Sequence, residues 1–266
     1  MQPLNYKRIG MIVAVAASST LLWAVSRTWL DSPGRFTDVV TMLWPALAFV
    51  VAGAVTAVAF LLMEHFWDRL AAMVTSWATF IFFWPANIWY VSALAVFFAL
   101  WFIASRDIHH DLTDRRTVRV AVSLRQGMKL ILLGMFWMVS LGFYLLPSSQ
   151  NTSIAAIGKS AQSSVENVYH NPVIQAELSQ LPAGAQAQVR AQVGQYVSET
   201  VTNTLTPIKE YIPPILAFGL FLSLWSINFL LRPPAVWLGE RLVWLLRRLG
   251  FVRVQETQVK AEVLSI

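Results

Sequence analysis

RDIHHDLTDRRTVRVAVSLRQGMK, Arg106 to Lys129, decides how the chain is read. It carries six Arg or Lys, three Asp and the adjacent pair His109-His110, and is the only long polar interruption in the first 146 residues. The segments on either side are too apolar for water. Whichever side of a membrane holds this stretch, its neighbours must follow.

Composition supports that frame. Of 266 residues, 56% are hydrophobic and only 13% charged, with a mean hydropathy of +0.56. A soluble domain carries about 25% charged residues. The deficit is concentrated in long apolar blocks, which reads as an integral membrane protein. The chain has no cysteine, which excludes a disulfide framework and a thiolate metal site. Its net charge of +6 sits at the ends of apolar segments, a pattern of membrane topology rather than of nucleic-acid binding.

Working outward gives six spans. Lys7 and Arg8 precede an apolar run over 9–25. It reads as an uncleaved span, because apolar residues continue past Ala16, Ala17 and Ser18 without a cleavage site. Apolar residues then run almost unbroken from Val39 to Ala104, and a span needs roughly 20 residues. Breaks at Glu64–Arg69 and at Trp84-Pro85-Ala86-Asn87 divide this block into 39–63, 69–84 and 87–104, the second break because proline disfavours helix at the residue before it. A fifth span covers 128–146, completing a membrane domain over 1–146, and a sixth covers 211–231. With the N-terminus inside, segments 1–8, 64–69, 105–129 and 232–266 hold 15 of the 20 Lys and Arg, and outer segments 26–38 and 147–210 hold 5. Cytoplasmic loops carry the excess of basic residues, so both termini are expected inside. The expected location is the bacterial inner or plasma membrane, with anionic lipid at the inner face.

The 147–210 segment is expected outside and helical. Val189, Val193, Val197, Val201 and Leu205 recur every four residues, with Tyr196 beside them, as one apolar stripe. Ile154 to Val168 and Val173 to Leu181 supply two more, broken at Asn171-Pro172 and at Leu181-Pro182-Ala183-Gly184. A small helical hairpin follows, whose stripe needs a cover: its neighbour, a second copy or a protein partner through 150–208. Beyond span six, Arg241, Arg247 and Arg248 with Trp237 and Trp244 make a basic interfacial helix suited to anionic lipid, and the tail is expected to be extended.

Candidate chemistry is sparse. Asp107, His109, His110, Asp111 and Asp114 lie within eight residues. On a helix Asp107, His110, Asp111 and Asp114 share one face, the weak candidate for a metal site. The plainer reading is a solvated hinge whose aspartates pair with Arg106, Arg115 and Arg116, because the spacing matches no zinc motif. Glu64-His65 with Asp68-Arg69 reads as a tight polar turn. No ionisable residue lies near the middle of a predicted span, where coupled transporters place them. Gly53, Gly134 and Gly142 offer close helix packing. The twelve tryptophans gather at predicted span ends and read as an interfacial belt. No phosphate-binding or nucleophile motif is present, and no cofactor is implied. The expectation is therefore a non-enzymatic envelope scaffold or assembly component acting through its outer helices. The alternative is a channel or permease for an uncharged or hydrophobic solute. A membrane-embedded metal-dependent enzyme ranks third.

Overall fold

A computed structural model describes residues 6–31, 39–84, 89–114, 120–146, 149 and 182–251. Among these residues every regular element is helical: α1 (Tyr6–Asp31), α2 (Val39–Leu62), α3 (Phe66–Phe83), α4 (Trp89–Asp114), α5 (Val120–Leu145), α6 (Ala183–Leu205), the 3-10 turn η1 (Thr206–Tyr211), α7 (Ile212–Ser226) and α8 (Asn228–Arg248). Long apolar runs favour helices because every backbone group is satisfied within the segment. Three helices, α1, residues 40–62 of α2, and α5, are long and apolar enough to cross a membrane. The count reaches four if the bent pair Gly184–Ile208 and Ile212–Ser226 is one span. The polar stretch from Arg106 is largely two helix ends, since α4 runs on to Asp114 and α5 starts at Val120.

One boundary differs from the sequence reading. The expected span over 211–231 is interrupted at Ile227, not at Arg232-Pro233-Pro234. The Ile227 carbonyl takes both the Leu230 and the Leu231 N–H there. Pro233 and Pro234 lie inside α8 with exposed rings. The packed face of α8, Asn228, Leu231, Ala235, Val236, Gly239 and Val243, holds the helix through them.

The chain forms two compact units, the first comprising Met1–Phe143 with Leu220–Ile266 and the second Tyr144–Gly219. In the first, contacts define the helix directions. Between α1 and α3, Arg8 meets Asp68 at 3.3 Å, Ser19 Oγ donates to Ser76 Oγ at 2.9 Å, Trp23 stacks edge-on against Phe80, and the Arg27 guanidinium lies over Trp84. Both numberings rise together, so α1 and α3 are parallel. Between α2 and α5 the order reverses: Phe49 packs on Phe136, and Gly53 faces Leu132 and Met128. α4 and α5 are likewise antiparallel, with Trp101 near Ile131 and Asp111 near Ser123. His109 of α4 meets the end of α2 at Phe60 and Met63. The starts of α1, α3 and α5 and the ends of α2 and α4 thus share one end of the bundle. α8 lies across that end: Arg232 donates to the Arg125 carbonyl, Gly239 faces Leu124 and Val58, and Lys7 Nζ donates to the Phe251 carbonyl at 2.8 Å.

The core of this unit is aromatic rings set into glycine notches. A Cβ on Gly134 would lie 2.7 Å from Trp101 Nε1, and one on Gly142 2.6 Å from Trp84 Cε3. Trp23, Trp84 and Trp101 are almost wholly buried, together with Phe49, Phe60, Phe80, Phe97 and Phe136. This corrects the belt reading for those three tryptophans. Trp84 lies at the end of α3 as expected, but Trp101 falls in the middle of α4, and each of the three faces a serine or glycine on a neighbouring helix. Trp44, Trp67, Trp225, Trp237 and Trp244 are exposed, as a belt requires.

In the second unit, α6 packs on η1. Residues 150–181, with the first two apolar stripes, and the tail from 252 lie outside the described residues.

Candidate functional site: a basic cleft at the common end

α3 and α4 enclose an open cleft of about 410 Å3 at the shared end, lined by Phe66, Arg69, Phe102, Ser105, Arg106, His109 and His110. The α4 contribution follows from helical spacing, since 102, 105, 106 and 109 fall on one face at i, i+3, i+4 and i+7. From α3, Phe66 and Arg69 in the first turn face them. The Phe66 and Phe102 rings meet edge to face at 6.0 Å. Ser105 spends its hydroxyl proton on the Phe102 carbonyl at 2.8 Å.

Its lining carries two arginines and no carboxylate. The two ion pairs among the described residues are Arg8–Asp68 and Arg27–Asp31, so neither Arg69 nor Arg106 has a carboxylate partner there. Asp68, adjacent to Arg69 in sequence, is engaged by Arg8 instead. Arg69 Nε is buried without a hydrogen-bond partner. A charged donor left this way is costly unless a ligand, lipid or water completes it.

His109 has a structural task. Its Nε2 lies 2.9 Å from the Phe60 carbonyl and 3.1 Å from that of Met63. Both partners are acceptors, so Nε2 carries the proton and caps the end of α2, where the last carbonyls lack intrahelical donors. Burial, and secondarily the Arg69 charge, hold the His109 pKa below its ordinary value, against the opposing pull of the two carbonyls and Glu64.

The residues singled out as a metal face are put to separate uses. Asp111 is buried and accepts from Ser123 Oγ at 2.6 Å and Gln126 Nε2 at 3.2 Å, pinning α4 to α5. His110 lines the cleft, Asp107 is half-buried, and the Asp114 side chain lies outside the described residues. Among the described residues no three His or carboxylate side chains gather to hold a metal ion. At the α2–α3 junction Glu64 and His65 are exposed.

On α6, Val193 and Tyr196 are exposed while Val189, Val197 and Val201 are half-buried; the Leu205 side chain lies outside the described residues. On α8, the Arg241 guanidinium lies 5.4 Å from the Trp237 ring and that of Arg248 5.5 Å from Trp244, with Arg247 exposed. Such pairs present a charged rim over an apolar body, suited to a head-group layer.

Sequence reasoning missed the cleft, because it sought ligands within one segment. The usable signal was the i, i+3, i+4, i+7 set from Phe102 to His109 opposite the lone arginine of the α2–α3 junction. No protein-family model, curated protein or solved structure matches this chain.

Proposed function

We propose that the protein is a multi-pass component of the cell membrane, with six spans and both termini inside, acting as a non-enzymatic scaffold or assembly factor. The 147–210 segment, outside in this reading, is the part that engages a second copy or a protein partner. The single observation that carries a scaffold over a conduit is the interior of the first unit. Large aromatic side chains occupy the space opposite Gly134 and Gly142, and most of the remaining buried side chains are aliphatic, interspersed with small hydroxyls such as Ser19, Ser76 and Ser123 that bond between helices. Rings that fill the space between helices in this way leave little room for a solute path.

Membrane placement is supported by charge. Lys7, Arg8, Arg69, Arg106, Arg125, Arg232 and the α8 arginines gather at one end of the bundle, while Arg27 near the other is paired with Asp31. That asymmetry is the positive-inside pattern. The exposed Val193 and Tyr196 on α6 support an association role.

The test uses a chain with one cysteine, Val193→Cys, in native membranes. Oxidation is expected to give an intermolecular cross-link, and vesicles holding the purified protein are expected to pass glycerol no faster than empty ones. Glycerol flux above that of empty vesicles, without a cross-link, would replace the scaffold with a permease.

A further inference from the structure

We infer that the cleft between α3 and α4 is a binding site for a phosphate group, most directly the head group of an anionic phospholipid. Two arginines from different helices converge on it, and no carboxylate lines it. Arg69 lines the cleft with no carboxylate partner among the described residues, its Nε buried without an acceptor, and Arg106 forms no ion pair there. Guanidinium groups bind phosphate oxygens through paired charge-assisted hydrogen bonds, which neither helix supplies from its own side chains. His109 spends its Nε2 proton on the α2 carbonyls, so it shapes the floor instead of binding the anion.

The apolar rim selects the source. Phe66 and Phe102 are 44% and 46% exposed and touch each other beside the arginines. A head group on the two arginines would run its acyl chains over these rings, whereas a free anion would leave them in water. This site is distinct from the arginine–tryptophan rim of α8, whose cations lie over their own rings. It rests on the membrane placement proposed above, but not on the scaffold role.

The experiment is native mass spectrometry of the full-length protein in detergent, titrated with phosphatidylglycerol or phosphatidylcholine. Preferential binding of phosphatidylglycerol is expected, weakened about tenfold or more in Arg106→Gln and again in Arg69→Gln. Arg106 is exposed, so its variant should leave the fold intact, and an unchanged thermal midpoint will verify this. Arg106→Lys should recover part of the affinity, and Arg248→Gln should change it little. Equal binding of the two lipids, or phosphatidylglycerol binding unaltered in the double variant, overturns the assignment. A competition arm with millimolar inorganic phosphate separates the sources. Displacement of lipid by the free ion assigns the site to soluble phosphate, and retention of lipid assigns it to the membrane. Because the readout is made in detergent, failure of the scaffold role, seen as a missing cross-link, leaves this result unaffected.

Discussion

Replacing Gly134 with alanine places a methyl group where the Trp101 indole already lies, 2.7 Å from Nε1 and 2.8 Å from Cδ1. Trp101 cannot swing into open space. It is fully buried, with the Phe97 ring centred 4.3 Å away and that of Phe60 5.6 Å away. Its indole N–H donates to the Ile131 carbonyl at 3.1 Å, one turn from Gly134. Overpacking a tight core costs about 1–3 kcal/mol. Loss of the bond leaves a buried donor unmet, at about 1–3 kcal/mol more. Alanine returns about 1 kcal/mol through better helix propensity. The net expectation is a loss near 3 kcal/mol, or a fall in Tm of roughly 6–12 °C at the 2–4 °C per kcal/mol usual for chains of this size. The assay is thermal unfolding of the purified protein in detergent, followed by tryptophan fluorescence. Gly10→Ala is the control, since nothing lies within 4 Å of its added Cβ, and it should be neutral or slightly stabilising. A Gly134→Ala protein that melts with or above the wild type would refute the packed interior.

His109→Ala removes the donor that caps α2 and should cost about 1–2 kcal/mol, read as a lower Tm at neutral pH. The same histidine gives a pH dependence. Its folded pKa lies below the unfolded value of 6.5, so the unfolded chain takes up the proton first on acidification. Its contribution is complete above about pH 6.5 and lost as pH falls through the folded pKa; Tm measured from pH 8 to 5 should fall less steeply in His109→Gln than in wild type. Ser123→Ala takes one donor from the buried Asp111 carboxylate and should cost about 1.5–3 kcal/mol, while Gln126→Ala, whose bond is longer and less buried, should cost less by the same assay. Gly239→Ala brings a methyl within 2.9 Å of Leu124 Cδ1, so α8 should loosen from the bundle end and trypsin should cleave sooner after Arg241 or Arg247.

Much of this was legible in the chain itself, for identifiable reasons. The ends of α2 and α3 lie close to the expected spans, because the Glu64–Arg69 polar turn and the Trp84-Pro85 step are local signals. The Arg106–Lys129 stretch is polar as read, but the expected solvated hinge is largely helix, and Asp111 is buried against Ser123 and Gln126. Tertiary pairing was hidden. Nothing near Trp101 announces that it fills a notch at Gly134, thirty-three residues on. Nor does His109 announce that it caps a helix ending at Leu62, because both depend on which faces of distant helices meet. The expected end of the sixth span at 231, just before Pro233 and Pro234, differs from the structure for the opposite reason. Local propensity argues for a break, and the buried face from Asn228 to Val243 outweighs it.

The central claim is that the basic end of the bundle faces the cytoplasm and the outer segment lies across the membrane. Because the chain has no cysteine, single substitutions report cleanly. Glu64→Cys and His110→Cys mark the basic end, Asp31→Cys the opposite end, and Gln192→Cys helix α6; all four residues are exposed. In intact cells, a membrane-impermeant maleimide should label the cysteines at 31 and 192 at once and those at 64 and 110 only after permeabilisation. Labelling of 64 or 110 in intact cells, or of all four alike, would contradict the account.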